Sequence, residues 1–477
     1  MTTHDRLSFV VAADDAAPLP VRAPYDGALL ARVPQSSADD VDRAVDRAGE
    51  LLGQGLPQHE RAQVLEAAAT LVGGQRERLA RDLAAEAAKP LIQARAEVDR
   101  CVSTLTFSAA AARTLTGRTI PLEGSAAGAG KIGWTERLPI GVVAAISPFN
   151  FPLNLVAHKV GPAIAAGCPV VLKPASATPL SALNLVALLV EAGLPRDWVQ
   201  VVVGSGADIG DPLVTHPGLA FISFTGSPAV GWSIRARAPR ADVGLELGNN
   251  TPLIVDRDAD VADVAHRIRL AGFAHAGQSC ISTQRILVHE SAADAFITEL
   301  VSQATSLRLG PPLAETTEVS SLIDAAETAR VLEWIDSAVR NGAGLVCGGQ
   351  VTPDGILEPT ILVDADPTDD VCAKEVFGPV VVVRRYRELD TAITEANTTT
   401  YGLQAGIFTR DLEVAITVAR ALDFGAVLIN EVPTWRADQM PYGGLRDSGN
   451  TKEGPAWAVE HMTREKLFVV SLPRAPA

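Results

Sequence analysis

No run in this chain approaches the ~20 apolar residues that a membrane-crossing helix needs. The opening stretch, MTTHDRLSFVVAADD, has no cationic start and only a short apolar run, so no secretory signal is expected. Cysteine is sparse. Cys101, Cys168, Cys280, Cys347 and Cys372 stand singly, without a CxxC pair or a Cys/His ligand spacing. An odd, scattered set argues against a disulfide framework and against a metal site. Reduced thiols in a cytoplasmic protein are the expectation. A basic face is missing too: the net charge is -15, spread without acidic blocks, which argues against a nucleic-acid partner. No repeat at solenoid periods is present.

What is present is an ordinary globular composition. The 477 residues are 47% apolar and 20% charged, enough for two or three domains. Residues 1 to about 35 read as short strands around a turn at Pro24-Tyr25-Asp26-Gly27. Ser37 then caps an amphipathic helix with an apolar stripe at Val41, Ala44, Val45, Ala48, Leu51 and Leu52. Helices rich in Ala, Leu, Arg and Glu follow to about Thr116. Residues 118–139 hold a Gly/Ala/Ser tip between strand-like arms, a projecting hairpin.

From Gly141 the pattern changes. Apolar runs at Val142–Ile146, Val170–Leu172, Val199–Val203 and Leu219–Phe224 alternate with helical segments at Asn154–Ala166, Ser181–Ala192 and Ala229–Ala238. Near-continuous apolar strands separated by helices indicate a parallel α/β sheet. A second α/β stretch runs from about Thr251 to Asn430. Its expected strands include Leu253–Val255, Gln284–Val288, Val380–Val383, Gly406–Thr409 and Ala426–Ile429. The tail KLFVVSL is one more strand.

Within that second stretch, FAHAGQSCISTQR (273–285) places Cys280 on a small-residue turn between a helix and a strand. Such a turn presents a reactive side chain to a cleft, and Cys280 is the candidate nucleophile. The other four cysteines have no comparable setting and read as packing residues. Asn150 lies between prolines after an apolar strand. It is either a turn asparagine or a neutral amide that donates to a developing oxyanion, with the Cys280 N–H as second donor.

The stretches SPFNFPLN (147–154), FTGS (224–227), LELGNNTP (245–252), GQSCI (277–281), EVFGPVV (375–381) and MPYGGLRDSG (440–449) together resemble the aldehyde dehydrogenase superfamily. The resemblance implies an α/β fold with three parts. A Rossmann-type dinucleotide-binding domain takes 1–117 and 139–245. An α/β catalytic domain takes 246–445. An oligomerisation element takes the hairpin 118–138 and the tail 463–473. It also implies NAD(P)-dependent oxidation of a small aldehyde, and a homodimer or homotetramer. In that chemistry Cys280 forms a thiohemiacetal that loses hydride to a nicotinamide, and the thioester left is hydrolysed. Glu246 is the implied base that activates water; a carboxylate among Val243, Leu245 and Leu247 should be partly desolvated and its pKa raised. Lys159 is implied to relay protons, or is a solvated helix lysine. His158 lines the substrate entrance or is a packing histidine.

For the cofactor, the resemblance implies Lys173 at the adenosine ribose. Many NAD-dependent members carry a glutamate where Ser176 stands here, and its loss favours NADP or dual use. Gly206 and Gly210 belong to a glycine cluster one residue too long for GxGxxG. The pyrophosphate is implied at Thr225, Gly226 and Ser227, at a helix start. Ser147, Phe149 and Leu247 are implied to line the cofactor, Glu375 to bind the nicotinamide ribose and Phe377 to pack near the ring. Asn249 departs from the usual second glycine and puts the loop's shape in question. Ser279 offers no cationic anchor beside the thiol. Phe151, Leu155, Ile281, Trp435, Arg436 and Met440 are candidate walls, with Arg436 reading as a clamp for an acidic tail or an interface salt bridge. Acyl transfer to coenzyme A and a catalytically silent relative are the alternatives; Glu246 disfavours the first and the intact set disfavours the second.

Overall fold

The computed structural model describes residues 6–238 and 240–472. The first five residues of the opening stretch and Pro473 of the expected tail element lie outside the described residues. Five parallel strands form the first sheet, in the order Val199–Val201, Val170–Lys173, Val142–Ile146, Leu219–Thr225, Asp242–Glu246. Val142–Ile146 (VVAAI) is buried at every position, as a strand covered by helices on both faces must be. Helices Gln58–Gly74, Leu91–Thr114, Asn154–Ala166 and Pro179–Glu191 share one core; Ala38–Gln54, Asp211–Thr215 and Pro228–Arg237 contribute to the other. Ser37 and Asp40 cap the helix Ala38–Gln54 reciprocally, as expected.

Chain order reverses between Val142–Ile146 and Leu219–Thr225. In an open α/β sheet the crevice outside the carboxyl ends of two such strands is where ligands bind. Ser147, Lys173, Thr225 and Glu246 all stand at that edge, because Ile146 is in register with Lys173 and with Phe224, and Thr225 with Glu246.

The second sheet has seven strands in the order Gly344–Cys347, Thr360–Val363, Val380–Tyr386, Arg285–His289, Pro252–Val255, Gln404–Phe408, Ala426–Ile429. All neighbours are parallel except the first pair. Gly344–Cys347 and Thr360–Val363 were not legible as strands; the first is largely exposed, with no alternation to mark it. The hairpin arm Lys131–Pro139 pairs with the tail strand Thr463–Ser471 along its whole length, and with Thr119–Ile120. Trp134 stacks on Phe468 across this pair, centroids 5.4 Å apart.

Beyond the second sheet the chain returns to the first. Residues 440–453 cross the carboxyl end of Asp242–Glu246, with an antiparallel bridge between Glu246 and Gly449. Val459 and Met462, at the helix Pro455–His461, then enter the first core. This return brings C-terminal side chains over the sheet edge.

Candidate active site

The Cys280 loop is built from an unusual backbone. His275, Ala276 and Gly277 lie consecutively in the left-handed region, with φ of 50, 53 and 72°. Such conformations cost energy for residues with a Cβ and persist only where surroundings hold them. Here the His275 N–H donates to Gln93 Oε1 at 2.7 Å. Gln278 donates through Nε2 to the His275 carbonyl and accepts from the Ile323 N–H at 3.0 Å. Gly277 is required: a Cβ there would sit 2.0 Å from the Gly378 carbonyl oxygen.

Asn150 joins this loop from the first sheet. Its Nδ2 donates to the Gln278 carbonyl at 2.8 Å, which fixes the amide with its donor side toward the Cys280 turn. Neither the second Nδ2–H nor the Cys280 N–H finds an acceptor among the described residues. Cys280 is half-buried, and its Sγ lies 2.8 Å from the Tyr442 hydroxyl. Burial pushes the thiol up to about 12, opposed by the Tyr442 hydrogen bond and by Arg436. Ile281, Leu403 and Tyr442 cluster beside it, with Met440 packed against them.

Glu246 ends its strand 7% exposed. Oε1 accepts from Thr451 Oγ1 at 3.1 Å, and Oε2 has no partner among the described residues. Burial, reinforced by Glu453, holds this carboxyl well above the usual range. Lys159 is not solvated: it is 1% exposed and donates to Thr225 Oγ1 at 2.7 Å and Ser223 Oγ at 3.1 Å. Its Nζ lies 3.9 Å from Glu453 Oε1, and burial lowers its pKa.

The reading of Arg436 requires correction. Its side chain is 5% exposed, ion-pairs with Glu453 at 2.7 Å and stacks on the Tyr442 ring at 3.8 Å. Its charge is matched by Glu453 within this chain, so it is neither a free clamp nor an interface salt bridge. Burial works against the Glu453 carboxylate, but Arg436 above all, with Lys159, outweighs it and holds its pKa low. His158 is also buried, between Thr104, Asp438 and Arg436 at 3.2 Å each. Burial and then Arg436 keep it neutral. Arg100 closes this group on Asp438 at 2.8 Å.

Helix Leu91–Thr114 braces both the Cys280 loop and the loop that carries Asn150. Glu97 accepts from the N–H groups of Leu153 and Asn154, at the start of the helix after Asn150. Its counter-ion is Lys89, fully buried, which also lies 3.6 Å from the Phe151 ring centroid. Removing one member of a buried pair leaves the other charge uncompensated, a loss of about 3–5 kcal/mol. Glu97→Gln should therefore lower the urea midpoint markedly, and adding Lys89→Met should restore part of the loss. A double variant no better than the single one would contradict this.

Along the sheet edge, Ser147 Oγ is buried without a partner among the described residues. Lys173 is 8% exposed, has no hydrogen-bond partner among the described residues, and burial lowers its pKa. Ser176 Oγ donates to the Gly204 carbonyl at 2.8 Å. Gly206–Gly210 forms a single π-helical turn whose Ser205 accepts from the Asp208 N–H, with Gly206 exposed. Thr225-Gly226-Ser227 leads into the helix Pro228–Arg237, whose N-terminus carries no side-chain cap; such an end attracts anions. Leu247 is buried under Gly231 of this helix, where a Cβ would lie 2.5 Å from Leu247 Cδ2.

Across the crevice, Glu375 Oε1 accepts from the Asn249 N–H at 3.1 Å, and burial pushes its carboxyl up to about 7. A Cβ on Gly248 would sit 2.2 Å from Glu375 Oε2. Phe377 adopts φ 50° and meets Phe149 edge-on, centroids 5.8 Å apart. Asn249 serves the loop: Nδ2 donates to Thr251 Oγ1 and to the Gln404 carbonyl, tying the turn to the second sheet.

Tyr442, Glu453, Thr451 and Gln278 were not singled out by the sequence reading. Tyr442 stands in the quoted MPYGG motif, and that hydroxyl was the available signal. No cluster of metal-binding side chains occurs among the described residues, and no helix among them is long and apolar enough to cross a membrane.

This chain belongs to the aldehyde dehydrogenase family, whose model matches residues 10–468. It is an NAD(P)-dependent oxidoreductase that acts on a small aldehyde. Among its relatives, the 3-sulfolactaldehyde dehydrogenase of Priestia megaterium is 43% identical over 449 residues, 94% of each chain. The glyceraldehyde-3-phosphate dehydrogenase of Methanocaldococcus jannaschii, solved with NADP, superposes with a TM-score of 0.92 at 36% identity, covering 96% of this chain and 100% of that one. An aldehyde dehydrogenase of Physcomitrella patens, solved with the product succinate, gives 0.93 at 38% identity and 96% of each chain.

Proposed function

We propose that this chain oxidises a short, polar aldehyde to the free acid with NADP preferred or equal to NAD, using Cys280 as nucleophile and Glu246 as base. The observation that carries the reading is the set around the thiol: among the described residues, two N–H donors on Asn150 and Cys280 find no acceptor, and a buried carboxylate oxygen of Glu246 finds no donor.

The residues at the sheet edge fit a dinucleotide. Among the described residues, Lys173 is a cation without an acceptor, Ser147 Oγ has no partner, and no side chain caps the helix start at Ser227. Lys173 and Ser176 would hold the adenosine ribose, with Gly206 and Gly210 nearby. Thr225, Gly226 and Ser227 would hold the pyrophosphate, Glu375 the second ribose, and Ser147, Phe149, Leu247 and Phe377 the remainder. When bound, NAD(P) supplies the hydride acceptor.

The Cys280 thiolate attacks the aldehyde carbon, and the oxygen becomes an alkoxide that the two N–H donors stabilise as charge develops. After loss of hydride the acyl group remains on Cys280 as a thioester. Glu246 takes a proton from water, the water oxygen attacks the acyl carbon, and the C–S bond breaks to release acid and thiolate. Lys159 holds Thr225 and Ser223 behind Glu246. A cavity of about 20 Å³ there, lined by His158, Ser223, Thr451 and Glu453, is large enough for one water molecule that could carry the proton away.

Cofactor choice rests on Ser176. A glutamate there would repel a 2′-phosphate. With the native chain, kcat/KM for NADP should equal or exceed that for NAD, and Ser176→Glu should shift the ratio toward NAD by roughly tenfold or more. Initial rates decide this; a native preference for NAD would refute it.

The relatives' names carry short polar compounds: a sulfonated aldehyde, a phosphorylated aldehyde and a dicarboxylate product. We place the substrate in the same class. A panel of short aldehydes with and without anionic tails, run against both cofactors, tests this; activity confined to long apolar or aromatic aldehydes would sink it. Formation of the free acid rather than an acyl-coenzyme A separates hydrolysis from acyl transfer.

We also propose the division anticipated above: a dinucleotide-binding domain of 1–117 and 139–245, a catalytic domain of 246–445, and an oligomerisation element of 118–138 and 463–473. The tail strand supports the last part. Its outer edge is unpaired among the described residues, and Leu467 and Val469 are 54% and 48% exposed, which favours pairing in a homodimer or homotetramer.

A further inference from the structure

Tyr442 is held rigidly where it meets the nucleophile. It is 2% exposed. Its N–H donates to the carbonyls of Met440 and Glu453, and its carbonyl accepts from the Glu453 N–H. Arg436 lies over the ring at 3.8 Å and is itself fixed by Glu453 at 2.7 Å. A buried phenol needs a hydrogen-bond partner. Cys280 Sγ, at 2.8 Å, is the partner that its hydroxyl has among the described residues.

We infer that Tyr442 is a positioning residue for the nucleophile: its hydroxyl donates to the Cys280 sulfur and favours the thiolate over the thiol. The direction follows from chemistry. A thiolate can only accept, and a phenol is a better donor than a thiol. A neutral donor stabilises the anion without placing another charge in the pocket. Arg436 above the ring makes the phenol a stronger donor and is matched by Glu453, so no uncompensated cation faces the substrate. The charged and titratable groups around the pair are Glu375 and Glu453, which oppose the thiolate, Arg436, which favours it, and Glu246, which bears on the Tyr442 hydroxyl. A phenylalanine would fill the same space and remove only the donor.

The inference rests on Cys280 as the nucleophile, so the test is read on the sulfur itself. In the full-length protein without aldehyde, the rate of Cys280 alkylation by iodoacetamide is followed against pH by mass spectrometry of the Cys280 peptide. Tyr442→Phe should move the rising limb of this profile, and with it the inflection, to higher pH by about one to two units, the effect of losing a hydrogen bond to a charged group. Alkylation below the inflection should slow about 10- to 100-fold. Site-specific replacement of Tyr442 by 3-fluorotyrosine, a more acidic phenol of nearly the same size, should move it to lower pH. A merely structural role would move neither profile, and unshifted inflections overturn the inference. Should Tyr442→Phe not fold, judged by loss of NADP binding, the fluorotyrosine protein decides alone. An active Cys280→Ser variant would overturn the catalytic reading instead, and leaves the alkylation result independent of it.

Discussion

Cys280→Ser should lose aldehyde-dependent NAD(P)H formation by at least roughly 10³-fold, the scale on which nucleophile replacements act. Serine keeps the loop geometry and the Cys280-position N–H but offers an alcohol, far less ionised and less nucleophilic than a thiolate. The backbone clamps from Gln93, Gln278 and Asn150 do not involve the sulfur, so NADP binding and the thermal midpoint should be close to native. The measurement is steady-state absorbance of reduced cofactor with cofactor titration alongside. Activity within tenfold of native would remove Cys280 from the mechanism. Loss of activity together with loss of NADP binding would mean that the variant had misfolded, and the titration reveals that case.

Glu246→Gln should separate the two halves of the reaction. The amide cannot take a proton from water, so a burst of reduced cofactor, one per active site, should precede a steady state slowed by roughly 10²–10⁴-fold. Native deacylation should rise with pH. Burial and Glu453 hold the carboxyl above its ordinary range, and only the ionised form is a base, so the active fraction grows as pH passes through that raised value. The variant should lack this rise. Stability has the opposite sign. A carboxyl whose pKa is raised by folding favours the folded state while protonated, and that contribution is lost as pH rises through the folded value. Glu246→Gln should thus match or exceed native thermal stability at alkaline pH. An unchanged steady-state rate without a burst would exclude Glu246 as the base.

Much of the fold was legible because it is written locally. Val142–Ile146 and Asn154–Ala166 coincide with their expected limits and are buried at every position, since apolar runs and helical periodicity report burial directly. The strand Gly344–Cys347 was not legible: it has neither strict alternation nor full burial. In the site, Cys280, Asn150, Glu246 and Glu375 were visible as motif residues. Their partners were hidden by separation along the chain. Asn150 meets the Gln278 carbonyl across 128 residues, and Tyr442 meets Cys280 across 162.

Arg436 shows the limit most clearly. In sequence it is a cation in a loop near a pocket, open to any anionic partner. Its partner is set by the return of 440–453 over the sheet edge, which puts Glu453 within 2.7 Å and Tyr442 under the guanidinium. Lys159 is similar: its place on the helix read as solvated and the resemblance implied a proton relay, and packing against Thr225 and Ser223 buried it. The sequence by itself determined the alternation of strands and helices, the parallel sheets and the turn that carries the thiol, because propensity, patterning and glycine placement act between near neighbours. Only the tertiary structure decided which charges are paired, which donors stay free and what touches the sulfur, because those depend on burial and on contacts between segments far apart in the chain.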